Sequence, residues 1–334
     1  MLIMRFCAIV LFVIASSISV ADEQPTRLKL ITHNVWYGFT KKAEPRHAQW
    51  RKWMTEQAPD VVALQELNGY TADKLSRDAK AWGHDYSVLL KKDGFPTGIT
   101  SRFPISDVKR IREGMHHGLL RCRIQGIWLY VIHFHPSNFQ RRIEEAALLK
   151  ADVESLLEAE PRIVLAGDFN GFSPTDRAHY DADTKLEPFF KMLDARDSNA
   201  RNLNQGRLDY GGLEAVIAQG YVDLVDHFRQ EGDAFVGTFP SPLVSDEDHG
   251  TDRRLDYVFV SPNLLPSVES ARILRDSQTD GFSDHFPVTT TLQNGRNDNA
   301  LSVFSSEPEL LQEQGAGEGP AWHPESPAAN ATAR

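Results

Sequence analysis

The stretch "IVLAGDFN", Ile163–Asn170, carries apolar residues straight into an acid and an amide. An apolar run of this length, closed by a sharp polar break, reads as a strand buried on both faces. Asp168 and Asn170 stand two apart, and on an extended segment such residues project to one side. Three earlier runs end alike: "LKLITHN" at Asn34, "VVALQE" at Glu66 and "LYVIHFH" at His133 and His135. Open α/β sheets bind ligands beyond the carboxyl ends of their strands, so these runs point to one functional edge. Two later segments reverse the order. In "RLDYVFV" Asp256 comes early in the run, and in "SDHFPVTTTL" Asp284 and His285 precede it. For all of these clusters to share an edge, the last two strands must oppose the earlier ones. The expectation is an α/β chain with mixed sheets.

Around these runs the pattern predicts strands at Leu28–Thr32, Val61–Leu64, Tyr86–Leu90, Trp128–Phe134, Ile163–Ala166, Leu255–Val260 and Pro287–Leu292. Helices are expected over Arg46–Gln57, Thr71–Trp82 and Phe139–Glu158, where Ile143, Ala146, Leu149 and Val153 recur near helical spacing. With 334 residues, 41% of them hydrophobic, the chain can bury a sizeable core. One domain is expected over residues 22–292.

The two ends read differently. Arg5 precedes an apolar stretch from Phe6 to Ala15, and Ser19-Val20-Ala21 forms a small-residue cleavage pattern before Asp22. Residues 1–21 therefore read as a secretory signal peptide, too short in apolar residues for the ~20 that span a bilayer. Export, periplasmic or secreted, is the expectation, with no stable membrane insertion. From residue 293 the composition turns to Asn, Ser, Gly, Pro and Ala, an expected disordered tail. Of the two cysteines, Cys7 falls in the signal and Cys122, in "RCRI", reads as a strand residue, so the mature chain has no internal disulfide. The formal charge is −10, which gives no long-range attraction for nucleic acid. Nucleic acid stays among the candidate substrates without being favoured, and no protein partner is indicated.

The groups expected to converge are Asn34, Glu66, His133, Asp168, Asn170, Asp256, Asp284 and His285. They are hard oxygen donors and imidazoles, without a thiolate. Mg²⁺ takes one or two carboxylates together with water and substrate phosphate oxygens. Glu66 suits the first carboxylate, with Asn34 as a neutral oxygen and Asp284 as a second acid, so Mg²⁺ or Mn²⁺ is expected. Zinc would favour closely spaced His or Cys, and the pairs His133/His135 and His116/His117 have no third ligand nearby in sequence. Asp168 can orient and deprotonate water, and Asn170 can donate to a phosphoryl oxygen. His285 suits a cation or proton donor whose tautomer and pKa a carboxylate such as Asp256 would set. His135 and His249 read as surface or loop histidines.

This ordered set resembles the endonuclease/exonuclease/phosphatase superfamily, the deoxyribonuclease I-like phosphoesterases, over nearly all of residues 27–292. The residues carrying the resemblance are "THNVW", "LQE", "TGITSRFPI", "VIHFH", "GDFN", "TFP" at Thr238–Pro240, "RLDYVFV" and "SDHFPV". It implies a four-layer α/β sandwich, two packed mixed sheets flanked by helices. It also implies Glu66 as main metal ligand assisted by Asn34 and Asp284, Asp168 positioning water, and Asn170 and His133 on the phosphoryl group. His285 paired with Asp256 would stabilise the transition state. Three departures stand out: Ile132-His133-Phe134 replaces Thr-His-Leu, Thr100 replaces an aliphatic residue, and His116 and His117 stand where relatives often carry an arginine or other substrate-facing group, which makes the pair a candidate contact for the substrate's phosphate, with a solvated turn as the alternative.

The expected function is an exported, metal-dependent phosphoesterase acting by activated water on nucleic acid, a phospholipid head group or a small phosphoester. The alternative is a catalytically silent phosphate-binding domain on the same fold. Loss of Glu66, Asp168 or His285 would favour it, and all three are present.

Overall fold

The computed structural model describes residues 26–41, 46–244 and 249–294. The signal over residues 1–21 and nearly all of the tail over 293–334 lie outside the described residues. The chain begins with β1 (Thr26–Asn34), α1 (Arg46–Gln57) and β2 (Val61–Gln65), the two strands parallel. Next come α2 (Ala72–Ala81) and four short strands, β3 (Tyr86–Leu89), β4 (Gly98–Ser101), β5 (Ser106–Ile111) and β6 (Leu119–Ile124). A second parallel unit follows, β7 (Ile127–His133), α3 (Phe139–Glu154) and β8 (Ile163–Asp168). The next stretch holds α4 (Arg177–Ala182), α5 (Leu186–Arg196), the hairpin β9 (Leu203–Asn204) and β10 (Arg207–Leu208), α6 (Gly211–Ile217), β11 (Val222–Asp223) and α7 (Leu224–His227). The domain closes with β12 (Asp256–Val260), β13 (Val268–Ile273) and β14 (Val288–Asn294).

Two six-stranded sheets result, in the orders β13-β14-β1-β2-β4-β3 and β11-β12-β8-β7-β6-β5. The expected reversal is present: β14 runs antiparallel to β1, and β12 antiparallel to β8. Period-two alternation assigns each strand's residues to two different layers. Leu28 and Leu30 of β1, Leu129 and Val131 of β7, Val164 and Ala166 of β8, and Val258 and Val260 of β12 fill the space between the sheets. Ile31, Val62 and Leu64 face α1 and α2, where Trp50, Trp53, Met54 and Leu75 cover them. Tyr130, Ile132, Leu165 and Phe259 face α3 and α6 through Ala146, Leu149, Leu213 and Val216. This is the four-layer sandwich, and each fully buried Leu, Ile or Val stabilises it by about 1.5–3 kcal/mol.

Element ends differ from expectation where local bonding decides. β14 runs past Leu292 to Asn294 because β1 offers it Arg27 and Thr26 as partners. Instead of reaching Glu158, α3 stops at Glu154, where the Ser155 hydroxyl donates to the Asp152 carbonyl at 2.6 Å. Cys122 is a fully buried residue of β6, and burial pushes its thiol up to about 12. Thr100, unexplained as a departure, is buried on β4 against His84 Nδ1 at 2.8 Å and Trp82 Nε1 at 3.2 Å. His84 Nε2 lies 2.8 Å from the Pro59 carbonyl, so its Nδ1 is left to accept from the threonine hydroxyl.

Gly167 is required by close approach. Its φ is +144°, and a Cβ there would lie 2.1 Å from the Ile132 carbonyl oxygen of β7. Gly167→Ala is expected to cost about 3 kcal/mol or more, since it adds backbone strain to a clash that only strand separation relieves. Urea denaturation checks this; a midpoint close to wild type would refute it.

Candidate active site

The same alternation that fills the sandwich positions its chemistry. Asn34, His133, Asp168 and Asp256 continue the series of residues that face the opposite sheet, one register step beyond the apolar filling for the last three and two steps, past buried Thr32, for Asn34. His133 pairs with Asp168 across β7 and β8, and Asp168 with Asp256 across β8 and β12. Three polar side chains therefore stand side by side on adjacent strands of one sheet. The other sheet contributes Asn34 at the end of β1, Glu66 just past β2, and Asp284 and His285 just before β14.

The contacts tie the two sheets together. Asn34 Nδ2 donates to Asp168 Oδ2 at 3.1 Å and to Glu66 Oε1 at 3.2 Å. Glu66, held at φ +56°, also accepts the Tyr37 N–H at 2.9 Å. His285 Nδ1 lies 2.7 Å from Asp256 Oδ2, while its Nε2 is 3.9 Å from Asp168 Oδ2. His133 Nε2 is 3.8 Å from the same Asp168 oxygen. Asp168, Asp256 and His285 offer ligand atoms all within 4.8 Å of one another, all buried. Thr238 of the "TFP" stretch accepts the Asp256 and Leu255 N–H groups at 3.0 and 2.9 Å, anchoring the start of β12. Ser283 donates to the Asn34 carbonyl at 2.7 Å, which fixes the Asp284–His285 turn against β1.

Burial and charge then set protonation. Burial, reinforced by Asp256 and opposed by His285, raises Asp168 to about 7. Burial likewise raises Asp284 to about 6, with Glu66 adding to it and His285 working against it. For His285 burial opposes the charge, but Asp256, Asp284 and Asp168 outweigh it and raise the imidazole to about 10. His133 falls well below the ordinary range through burial and the nearby His117 and His285. One histidine is held charged and the other neutral, either side of one carboxylate.

A model of the endonuclease/exonuclease/phosphatase family matches residues 31–285. The chain belongs to that family. Solved structures agree on the fold at low sequence identity. An AP endonuclease from Archaeoglobus fulgidus superposes with a TM-score of 0.57 at 18% identity, covering 79% of this chain and 99% of that one. A 3'-5' exonuclease from Neisseria meningitidis gives 0.56 at 19%, covering 80% and 100%. A 3' phosphatase from Neisseria, bound to a product DNA hairpin, gives 0.55 at 18%, covering 79% and 98%.

Placed in this family fold, three readings from sequence need correction. Asn170 does not continue an extended segment beside Asp168: β8 ends at Asp168 and Asn170 is left-handed at φ +48°. Its N–H donates to Asp168 Oδ1 at 2.8 Å and its Nδ2 to the Phe134 carbonyl at 3.0 Å, so a tight turn brings the amide to the site. Asn34 turns its amide nitrogen, not its oxygen, toward Glu66 and Asp168. His135 is no isolated loop residue. Its ring lies 4.1 Å from His116, His116 lies 4.3 Å from His117, and His117 stacks at 3.8 Å on His133.

This four-histidine array was invisible in sequence because its two pairs are separated by a hairpin. Buried Glu145 of α3 organises it, accepting the His116 N–H at 2.6 Å and the His135 N–H at 2.7 Å. Burial raises Glu145 to about 7 despite those bonds. Burial and cationic neighbours lower His117 to about 2 and His135 to about 4, so these rings are neutral at physiological pH. Only His117 and His133 stack, while His116 meets His117 edge-on and His135 at a tilt; among the described residues the group of ligand atoms that converges within 4.8 Å is Asp168, Asp256 and His285, not this array. His116 is exposed, His135 half-buried and His117 buried, so the pair His116/His117 contributes one exposed ring and one wall ring.

A divalent cation fits the other group of acids. Glu66 and Asp284 interact unfavourably, and among the described residues neither has a Lys or Arg nitrogen within 4.0 Å. Asp168 adds a third carboxylate, linked to Glu66 through Asn34. Asp256 Oδ1 is buried with no hydrogen-bond partner. Carboxylate oxygens in excess over local positive charge, without thiolate, match hard cations such as Mg²⁺ or Mn²⁺.

Proposed function

We propose that this chain is an exported, Mg²⁺- or Mn²⁺-dependent phosphoesterase that hydrolyses a P–O bond with activated water. The observation that supports it is the setting of Asp168, with His285 Nε2 at 3.9 Å and His133 Nε2 at 3.8 Å from one carboxylate oxygen and His285 Nδ1 held by Asp256 at 2.7 Å, burial raising the carboxyl and surrounding carboxylates raising His285. Asp168 takes a proton from water as its oxygen attacks phosphorus. The bond to the leaving oxygen breaks, and His285 gives that oxygen its proton while Asp256 holds the imidazole through Nδ1. His133 and Asn170 supply neutral donors to the phosphoryl oxygens. A cation held by Glu66 and Asp284, with Asn34 beside them, would neutralise charge on the phosphoryl group. General acid–base groups of this kind each contribute about 10²- to 10⁴-fold.

The test is hydrolysis of bis-p-nitrophenyl phosphate by the purified chain with Mg²⁺ or Mn²⁺, with Glu66→Ala as the blank. Activity should vanish in EDTA, return with either ion, and be lost in the variant. No turnover with either ion would support the silent binding domain instead. N-terminal sequencing of secreted protein checks export, which predicts a chain beginning near Asp22.

The pH profile of kcat/KM follows from the two protonation states. Asp168 must be ionised, so activity rises with pH through about 7; His285 must be protonated, so it falls again toward about 10. A bound cation moves the acidic limb lower by favouring the carboxylate. A profile that keeps falling from pH 6 upward would contradict the assignment.

A further inference from the structure

Beside His285 and Asn170 lies a cavity of about 270 Å³, walled by Phe172, Phe190 and Phe239 and also lined by Arg142 and Arg253. It is smaller than the ~300–1,000 Å³ usual for drug-sized ligands, so it suits one compact group. Both arginines are deeply buried, at 3% and 6% exposure. Buried guanidiniums are ordinarily matched to carboxylates, since an uncompensated charge is costly to bury. Arg254 shows the ordinary solution: fully buried, it meets Asp176 and Asp223 at 2.7 Å each.

Its neighbour Arg253 is solved differently. Nη1 donates to the His249 and Thr251 carbonyls at 2.6 and 2.9 Å, and the guanidinium lies over Phe239 at 4.5 Å and Phe190 at 5.3 Å. Its Nε is buried without an acceptor. Arg142 donates through Nη1 to the His135 and Pro136 carbonyls at 3.2 and 3.4 Å. Among the described residues no carboxylate oxygen lies within 4.0 Å of either guanidinium. Burial lowers both to about 10, yet both stay charged at neutral pH. Carboxylates nearby favour both charges through space, Asp209, Glu145, Asp168 and Asp194 for Arg142 and Asp252, Asp168 and Asp183 for Arg253, but the direct partners are backbone carbonyls and ring faces.

We propose that this cavity is a subsite for a second phosphate group of the substrate, adjoining the phosphoester that is cleaved. A phosphate accepts several charge-assisted hydrogen bonds from guanidinium edges at once, and it would be the directly paired anion that neither guanidinium has. The inference rests on the phosphoesterase reading and narrows it: the preferred substrate carries two phosphates a short distance apart. Such a pair comes either from a nucleotide phosphorylated on its ribose, the end of a strand included, or from a phosphorylated polyol.

The test uses the whole chain with Mn²⁺ and two substrate pairs: a nucleoside p-nitrophenyl phosphodiester with and without a second phosphate on its ribose, and a glyceryl p-nitrophenyl phosphodiester with and without a further phosphate. The second phosphate is expected to raise kcat/KM about 10- to 100-fold, in the range that hydrogen bonds to charged groups allow. Preference in one pair alone names the source; preference in neither overturns the proposal. Arg253→Gln should remove the advantage and leave the plain diester within about twofold of wild type, while Arg253→Lys restores part of it. Equal losses on both members of a pair would mean a merely structural arginine and overturn it. A readout independent of turnover is thermal unfolding in EDTA. A nucleoside bisphosphate or glycerol bisphosphate should stabilise wild type where the matching monophosphate does not, with the difference lost in Arg253→Gln and in Arg142→Gln. If no diester is turned over, the phosphoesterase reading fails, and that binding difference alone upholds the subsite or, if absent, overturns it.

Discussion

Replacing Asp168 with asparagine is expected to lower kcat by about 10³-fold or more while raising Tm. The loss follows from the proposed reaction, in which this carboxylate alone takes the proton from water, within the 10²- to 10⁴-fold range of positioned bases. The stability gain follows from linkage. Burial raises Asp168 to about 7, well above the ~3.9 of an unfolded aspartate. The folded chain therefore binds this proton more readily than the unfolded chain does, and stability falls as pH rises from about 4 through 7. Above pH 7 the ionised side chain weakens the fold, and asparagine, an isostere of the protonated acid, removes that cost. Steady-state kinetics and thermal unfolding at pH 8 check both halves. An inactive variant with lower Tm would mean that Asp168 holds the sheets together instead of acting on water. The expected trade of stability for activity is common where catalysis needs a poorly solvated charge.

His285→Ala should cost a comparable factor, about 10³-fold in kcat, because it removes the only group proposed to protonate the leaving oxygen. Asp256→Asn acts through that histidine, and its effect should be smaller, about 10- to 100-fold. Its distinguishing mark is the pH profile. Asp256 is the foremost of three carboxylates that raise His285 to about 10, so removing its charge should bring the alkaline limb down toward neutrality. In the double variant the two losses should fall well short of multiplying, as for residues that act as a unit. Multiplicative losses with an unmoved alkaline limb would separate the two residues and refute the pairing.

Much of this arrangement is written in strand ends. The alternation that makes Val164 and Ala166 inward-facing makes Asp168 so, and the reversed order of "RLDYVFV" and "SDHFPV" carries the antiparallel pairing of β12 and β14. Helix faces are harder to read. Helical spacing on α3 marks its apolar residues, but Arg142, Glu145 and Asp152 are buried as well. Asp152 is held by Lys109, by Arg121 at 2.8 Å and by Tyr130 at 3.0 Å, and those partners come from three strands far earlier in the chain. The histidine array fails for the same reason, since its rings meet through a sheet pairing that spacing does not encode. Asn170 fails for another: a left-handed residue closes the strand, and the period-two rule ends where the strand does. Short edge strands such as β5, with mostly exposed side chains, leave too little apolar pattern to detect.

Asn34 bridges Glu66 of its own sheet to Asp168 of the other through one amide nitrogen. That makes the site a gauge of how the two halves are docked. A displacement of one sheet against the other by about 3.3 Å, one residue's rise along a strand, is as large as the 3.1 Å bond between Asn34 and Asp168. A far smaller displacement already breaks the bridge, while the hydrogen-bond ladders within each sheet stay paired. The proposed turnover should therefore fail in mild denaturant while circular dichroism still reports intact strands, which makes activity a reporter of tertiary order.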